Sequence, residues 1–383
     1  MIFVLNGVET RNKGAELMLY AILQEIERKW PGSTVYMGVG TVRQGLDYIK
    51  TDLTLKFKPL EKYYGIIRKF KLDTILRKLK LPEILDDIYA IKGADYFFDG
   101  SGLKFSDQQL FLKDQLYKYE HLLRNTKKQG TKIIFLPQAF GPIKKDFTRK
   151  ALLSINKYAD LIMPREKISM EYLEKSGLVD MRRIKMFTDF TSLVHGDFPE
   201  DKFAHLKNAV CVIPNERMVS KGVVSLDKYI DFLIAVSNLA ANQGRKVYFL
   251  NHEGITDEKL AYQCSEAMGG NIEVVSRLNA LETKGIIASA YAVISSRFHG
   301  AASALNSCVP CLATSWNHKY AELFNDYQME DCILDVNDAE KSMKKIEKIL
   351  DFSQNDEIRK KLNVQHGRIE NETREMWNAI WEL

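Results

Sequence analysis

The chain has 383 residues, 45% of them hydrophobic, and a formal net charge of +5. That length exceeds the roughly 250–300 residues at which single cores stop growing, so two domains are expected. The charge is too mild for a nucleic-acid partner, and no apolar run approaches the roughly 20 residues needed to span a bilayer, so a cytoplasmic chain is expected.

Taken in chain order, short apolar runs alternate with helical patterns, as in βα units that feed parallel sheets. The first run, Ile2–Asn6, leads through Gly7-Val-Glu-Thr-Arg-Asn12-Lys-Gly14-Ala-Glu16 into a helix expected over Leu17–Arg28. Asn12 is suited to capping, Gly14 lets backbone approach a ligand closely, and Glu16 is the charged group best placed in the loop. The pattern is neither a dinucleotide fingerprint nor a Walker loop, and plain βα packing also uses such turns.

A second strand is expected over Thr34–Val39. Residues 56–80 then carry nine Lys or Arg against Glu61 and Asp73, with apolar residues at near-helical spacing. Such a basic amphipathic helix fits a solvated helix packed on its own domain. It equally fits a contact with anionic lipid, at the inner face of the membrane, or with a lipid-linked acceptor.

Tyr96–Asp99 closes on Asp99-Gly-Ser-Gly102, and Lys132–Pro137 closes on Pro137-Gln138-Ala-Phe-Gly-Pro142. Both loops fall at the edge where open α/β sheets hold ligands, and both also satisfy tight-turn chemistry without one. Leu161–Pro164 runs into Arg165-Glu166-Lys-Ile-Ser169, which aims a guanidinium into a cleft or forms a surface ion pair. Lys185–Phe187 is the sixth strand candidate, with Asp189 after it. The stretch His195–His205 lacks periodicity and reads as the linker. The expected domains are therefore 1–197 and 198–355, with a helical tail over 356–383 that can cross back to the first.

The second series is Ala209–Ile213, Val247–Leu250, Ile272–Val275, Tyr291–Ser295, Cys311–Ser315 and Cys332–Asp335. The fold class is thus α/β, two doubly wound Rossmann-like domains facing a cleft. Asn215-Glu-Arg217 and Asn251-His252-Glu253-Gly254 follow strands, and the repetition of polar clusters there argues for a long ligand groove. The five cysteines are odd in number and sparse; Cys308-Val-Pro-Cys311 has no second pair to complete a zinc set, so reduced core thiols and no metal site are expected.

The densest cluster is Ser295-Ser296-Arg297-Phe-His299-Gly300, where a strand meets a small-residue helix over Gly300–Leu305. First-turn N–H groups, the helix dipole and the Arg297 fork together outline an anion site. The strand Cys311–Ser315 ends at Trp316-Asn-His-Lys319, which in a parallel sheet brings Lys319 to the same edge as His299.

The order of these pieces resembles the polysaccharide pyruvyl transferase family: Asn-x-Gly-Ala-Glu, Pro-Gln-x-x-Gly-Pro, Arg-Glu-x-x-Ser, Ser-Arg-x-His-Gly, then a Pro followed by Ser-Trp-x-x-Lys-Tyr. The likeness runs from about Asn6 to Tyr320. The loop Asp99-Gly-Ser-Gly departs from it, since the family usually shows a run of two or three glycines. The resemblance implies a two-domain fold of the glycosyltransferase-B type and transfer of the enolpyruvyl carbons of phosphoenolpyruvate to a sugar as a ketal. It also implies no cofactor beyond phosphoenolpyruvate as co-substrate, and donor-site roles for Arg165, Arg297, His299 and Lys319. Of these, His299 is the expected general acid or base and Lys319 the neutraliser of departing phosphate. Asn12, Gly14, Glu16, Asp99, Gln138, Asn215, Arg217, His252, Ser296 and Gly300 are expected around donor and acceptor, the acceptor being a nucleotide-linked, lipid-linked or polymeric glycan. The competing readings are a nucleotide-sugar glycosyltransferase of the same fold and a non-catalytic saccharide- or anion-binding protein.

Overall fold

The computed structural model describes residues 1–38, 46–49, 53–60, 92–109, 113–315 and 319–383. They form two six-stranded sheets. The first contains β1 (Ile2–Asn6), β2 (Thr34–Met37), β3 (Lys56–Pro59), β4 (Tyr96–Asp99), β5 (Lys132–Gln138) and β6 (Leu161–Pro164), in the order β3-β2-β1-β4-β5-β6. The second contains β7 (Val210–Ile213), β8 (Val247–Leu250), β9 (Glu273–Val275), β10 (Ala292–Ser295), β11 (Cys311–Thr314) and β12 (Ile333–Leu334), in the order β12-β11-β10-β7-β8-β9. Every pairing is parallel. Each sheet therefore has one place where neighbouring strands lead away in opposite directions: β1 beside β4, and β7 beside β10.

The central strands form because their residues are apolar and covered on both faces. Tyr96-Phe-Phe-Asp99, Val210-Cys-Val-Ile213 and Ala292-Val-Ile-Ser295 are buried throughout. Strand β3 is the exception. Its Lys56-Phe-Lys-Pro59 alternates outward lysines with half-buried residues, an edge pattern in which Pro59 costs no ladder bond. The basic segment thus opens as a strand, not a helix, at Lys56–Pro59, because period two overrides the charge there; its residues 61–80 lie outside the described residues. At Lys185–Phe187 there is no strand: Ile184 makes only an isolated bridge to Ile162, and the Lys185 and Phe187 N–H groups donate to Ile162 and Pro164 carbonyls.

Two compact units account for the chain. One comprises Met1–Arg11, Met18–Phe190 and Glu372–Leu383; the other comprises Asn12–Leu17 and Thr191–Asn371. The segment around His195–His205 is packed within the second unit. There Asp197 N donates to Leu281 O at 2.9 Å, and a Cβ on Gly196 would come within 2.3 Å of the Gly285 N. Among the described residues no helix is long and apolar enough to cross a membrane.

The last helix, Phe352–Trp381, ends inside the first unit. Trp377 and Trp381 stack at 5.6 Å, Trp30 meets Trp381 edge-on at 4.6 Å, and Phe98 packs on Trp377 at 6.2 Å. The Trp381 indole N–H donates to Glu25 Oε1 at 2.9 Å, which satisfies the polar end of an otherwise apolar contact. Removing the largest buried ring should therefore leave a cavity that neighbours cannot refill. Trp377→Ala is expected to cost about 3–5 kcal/mol, read as a lowered denaturant midpoint for the first unit; a midpoint unchanged from wild type would show that the helix end is not part of that core.

Candidate functional site

The C-terminal edge of the second sheet holds most of the expected residues. Arg297 follows β10 and precedes the helix Phe298–Asn306, and His299 sits in that helix's first turn. The Arg297 guanidinium is held by two carboxylates: Nε donates to Asp257 Oδ2 at 2.6 Å, and Nη1 donates to Glu253 Oε2. Asp257 is fully buried and its second oxygen accepts the Glu216 N–H at 3.0 Å, whereas Glu253 is 28% exposed. Burial pushes the Asp257 carboxyl above its ordinary range, opposed by the Arg297 bond. Burial also disfavours the Arg297 charge, but its two carboxylates outweigh that and leave the guanidinium more firmly protonated than usual.

The loop after β1 reaches the same place. The first helix runs Lys13–Lys29, so it begins four residues earlier than the apolar pattern predicts, with Gly14 and Glu16 inside its first turn. Asn12 is the reason: its Oδ1 accepts the N–H groups of Gly14 at 2.8 Å and Ala15 at 3.1 Å. The Asn12 Nδ2 donates to Glu253 Oε1 at 2.7 Å. The buried Glu16 is paired with Lys13 Nζ at 2.7 Å, so Lys13, which sequence reasoning passed over, is a second charge in this loop.

Gly14 meets His299 directly. A Cβ built on Gly14 would lie 2.0 Å from His299 Nδ1 and 2.4 Å from its Cγ, so the imidazole rests against bare backbone. Phe298 also stands edge-on to the ring at 5.1 Å. Near these cations lies His252, 5% exposed and with no hydrogen-bond partner for Nδ1 among the described residues. Burial, reinforced by His299, Arg297 and Lys13, holds its imidazole well below the ordinary value, so it is neutral.

Several expected binding residues also hold the scaffold together. The Ser296 Oγ accepts from Tyr229 Oη and Thr314 Oγ1, each at 2.6 Å, and its carbonyl accepts from Asn215 Nδ2 and Tyr320 Oη, each at 2.7 Å. Gly300 lets the helix approach β7; a Cβ there would sit 2.8 Å from Ile213 Cδ1. Arg217 is exposed at the start of the short helix Arg217–Ser220. Lys319 begins the helix Lys319–Asp326 after β11, half-buried, and the adjoining Tyr320 ring packs edge-on to Phe298 at 5.9 Å. The preceding Trp316-Asn-His318 lies outside the described residues.

Within the first unit, Arg165 is buried rather than exposed. Its Nε donates to Glu166 Oε2 at 3.3 Å and its Nη1 lies 3.6 Å from Asp189 Oδ2. Ser169 donates to Glu166 Oε1 at 2.5 Å and accepts the Phe140 N–H at 2.8 Å, which ties Arg-Glu-x-x-Ser to the Pro-Gln-x-x-Gly-Pro loop. Asp99 is fully buried and engaged: Asn6 Nδ2 donates to it at 2.6 Å, Tyr119 Oη at 2.5 Å and the Ser101 N–H at 3.1 Å. Gln138, also buried, donates to the Asp99 carbonyl at 3.4 Å.

Residues 12–318 match the family model for polysaccharide pyruvyl transferase, a span that starts at Asn12 and takes in Arg165, Arg297 and His299. The chain belongs to the polysaccharide pyruvyl transferase family. No curated protein matches it. Among solved structures it is similar to a UDP-GlcNAc 2-epimerase from Neisseria meningitidis bound to UDP-GlcNAc, with a TM-score of 0.61 at 11% identity over 100% of both chains. It is also similar to HepE from Anabaena in complex with UDP and glucose, at 0.54 and 11% over 100% of both chains. A UDP-GlcNAc 2-epimerase from Methanocaldococcus jannaschii gives 0.56 and 11%, over 92% of this chain and 93% of that one. These likenesses show the fold, two parallel-sheet α/β domains of the GT-B kind.

The depressed imidazole of His252 has a consequence for this family member's stability. Unfolding returns the ring to its ordinary value of 6.5, so below that pH the unfolded chain binds a proton that the folded chain refuses. This group's contribution is fully present above pH 6.5 and is lost as pH falls below it. Urea melts at pH 7.5, 6.5 and 5.5 should show falling stability, with a shallower fall in His252→Asn. Equal slopes in both proteins would place the acid sensitivity elsewhere.

Proposed function

We propose that the chain transfers the pyruvyl group of phosphoenolpyruvate onto a sugar as a ketal. The observation that carries this reading is the imidazole of His299 lying on the Gly14 backbone beside Arg297, inside the span that the family model matches. Phosphoenolpyruvate carries a carboxylate and a phosphate on three carbons, so its site needs cations and N–H donors around a proton-transfer group. Arg297, Lys319 and the first turn of the helix Phe298–Asn306 supply the former, and His299 the latter.

In this reaction the methylene carbon of the donor gains a proton and C2 becomes cationic. A sugar hydroxyl adds to C2 and gives up its proton; the C2–O bond to phosphate then breaks, and a second hydroxyl adds to C2 and passes its proton to the departing phosphate, which closes the ketal. An imidazole is suited to both proton movements, because its ordinary pKa of about 6.5 lies near ambient pH. Arg297 meets the donor already oriented, since two of its nitrogens are fixed by Asp257 and Glu253. The family resemblance also implies a role for Arg165, which within the first unit is buried with Glu166 and Asp189. The acceptor is a nucleotide-linked, lipid-linked or polymeric sugar; the proposed setting is envelope or exopolysaccharide synthesis in the cytoplasm.

Phosphoenolpyruvate at about one hundred times its Kd should stabilise the protein by about 2.7 kcal/mol, seen as a raised unfolding temperature, whereas UDP-sugars alone should leave it unchanged. With an acceptor panel, phosphate release should fall about 10²–10⁴-fold in His299→Asn while phosphoenolpyruvate still protects. Protection by UDP-sugars and not by phosphoenolpyruvate would favour a nucleotide-sugar glycosyltransferase. Wild-type turnover in His299→Asn would take the proton-transfer role away from that residue.

A further inference from the structure

One carboxylate in the second unit has two clients on different elements. Glu253 Oε1 accepts from Asn12 Nδ2 at 2.7 Å, and its Oε2 accepts from Arg297 Nη1. Asn12 in turn commits its oxygen to the N–H groups of Gly14 and Ala15, and the Gly14 backbone is the surface on which His299 lies. Arg297 and His299 are two residues apart, at the N-cap and in the first turn of the helix Phe298–Asn306. The contacts therefore close a circuit, Arg297 to Glu253 to Asn12 to Gly14 to His299, whose ends are the candidate anion-binding cation and the candidate acid or base.

We propose that Glu253 is a positioning residue that sets the polarity of this circuit: by accepting from both neighbours, it forces Asn12 to present its oxygen to the first turn of the helix and holds Arg297 in register with His299. The inference rests on the proposed pyruvyl transfer and adds to it a residue that touches neither donor nor acceptor. Its logic is that of donors and acceptors. Arg297 has only donors, so its partner must accept. Asn12 has one face of each kind, and whichever face meets residue 253 leaves the opposite one for Gly14 and Ala15. Only an acceptor at 253 leaves the oxygen for the cap.

Glu253 also brings a cost. Together with the buried Asp257 it places two negative charges on one guanidinium, which opposes any incoming anion. A residue kept for affinity would not carry that charge; one kept for geometry would.

The test is a polarity swap. In Glu253→Gln the amide keeps an acceptor for Arg297 but offers NH₂ to Asn12, which must rotate and lose its cap. In the double variant, Glu253→Gln combined with Asn12→Asp, the new carboxylate at position 12 accepts both from the new amide at position 253 and from the first-turn N–H groups. The net charge of the pair then equals that of wild type. Phosphate release with phosphoenolpyruvate and acceptor should show kcat down about tenfold in Glu253→Gln, with KM for phosphoenolpyruvate lowered because one opposing charge is gone. Asn12→Asp alone, with two carboxylates face to face, should lower kcat and raise KM. The double variant should recover kcat to within about threefold of wild type. A merely architectural contact would lower stability and turnover together, without moving KM in opposite directions.

The proposal is overturned if Glu253→Gln turns over within about twofold of wild type, or if the double variant is no better than Glu253→Gln in rate or in folding. Should wild type itself fail to release phosphate from phosphoenolpyruvate, the pyruvyl-transfer reading fails alone. The same cycle is then read from unfolding midpoints and from binding of inorganic phosphate. Coupling between positions 12 and 253 in those readouts sustains the polarity assignment, and its absence ends it.

Discussion

The imidazole of His299 can occupy its place only because residue 14 has no side chain. A Cβ at that position would fall inside the ring's van der Waals envelope, so the contact fixes how the first turn of the helix Lys13–Lys29 meets the first turn of the helix Phe298–Asn306. Everything polar at this place follows from two helix starts held face to face. Each brings N–H groups that its own helix cannot pair, and Asn12 satisfies two of those belonging to the earlier helix. The charges are then arranged around the junction, Arg297 and Lys13 against Asp257, Glu253 and Glu16. Ion pairs buried in this way contribute little net stability, because desolvation offsets their attraction. What they supply is orientation, which the proposed reaction of a small, highly charged donor needs more than another fraction of stability.

A common device supports both sheets at the point where strand order reverses. In the first, Asn6 at the end of β1 donates to Asp99 at the end of β4, and Tyr119 from the helix Lys113–Lys128 donates to the same carboxylate. In the second, Asn215 beyond β7 donates to the carbonyl of Ser296 beyond β10, and Tyr229 from the helix Leu226–Asn242 donates to the Ser296 hydroxyl. Each reversal thus carries an asparagine, a buried acceptor and a tyrosine from a helix that follows. Parallel strands that diverge leave backbone and side-chain groups at their ends without ladder partners, and burying them unpaired would cost about 1–3 kcal/mol apiece. The hub fills that gap with hydrogen bonds. The consequence is that Asp99, Asn215 and Ser296, which look like ligand groups in the sequence, are already occupied.

The strands were readable because buried parallel strands are short continuous apolar runs, and eleven of the twelve coincide with such runs within two residues at either end. Lys56–Pro59 was hidden by its charge: its period-two alternation is only four residues long and is embedded in a basic stretch with helical spacing. Lys185–Phe187 misled in the opposite sense, because its two carbonyl bonds follow β6 without forming a ladder. At the candidate site, positions at strand ends could be read but their partners could not. Nothing in the spacing of Arg297 indicates that Asp257 and Glu253 will clamp it, since that depends on β8 and β10 both flanking β7. The signal that was available is local: Glu253 and Asp257 stand four apart around the start of the helix Gly254–Ala267, hence on one side of it. Likewise Lys13 and Glu16 stand three apart in a first turn, where a pair is expected once the helix is known to begin at Lys13 rather than Leu17.

On the proposed reaction, the negative charge gathered around Arg297 is not a contradiction. A pocket with an unopposed surplus of cations would hold phosphoenolpyruvate tightly, but it would hold the phosphate product as tightly, and uniform affinity of that kind does not accelerate the chemical step. Catalysis needs interactions that strengthen as charge moves from the donor carbon frame onto the departing phosphate. A guanidinium whose Nε is fixed by a buried carboxylate and whose Nη1 is shared with a partly exposed one is restrained in direction and reduced in strength, so it discriminates by geometry rather than by charge alone. The neutral His252 fits the same pattern: a charged imidazole near Arg297 and Lys13 would deepen the well for every anion, and its burial prevents that. Moderation of the field, by carboxylates on one side and a discharged histidine on the other, fits the proton-transfer role proposed for His299.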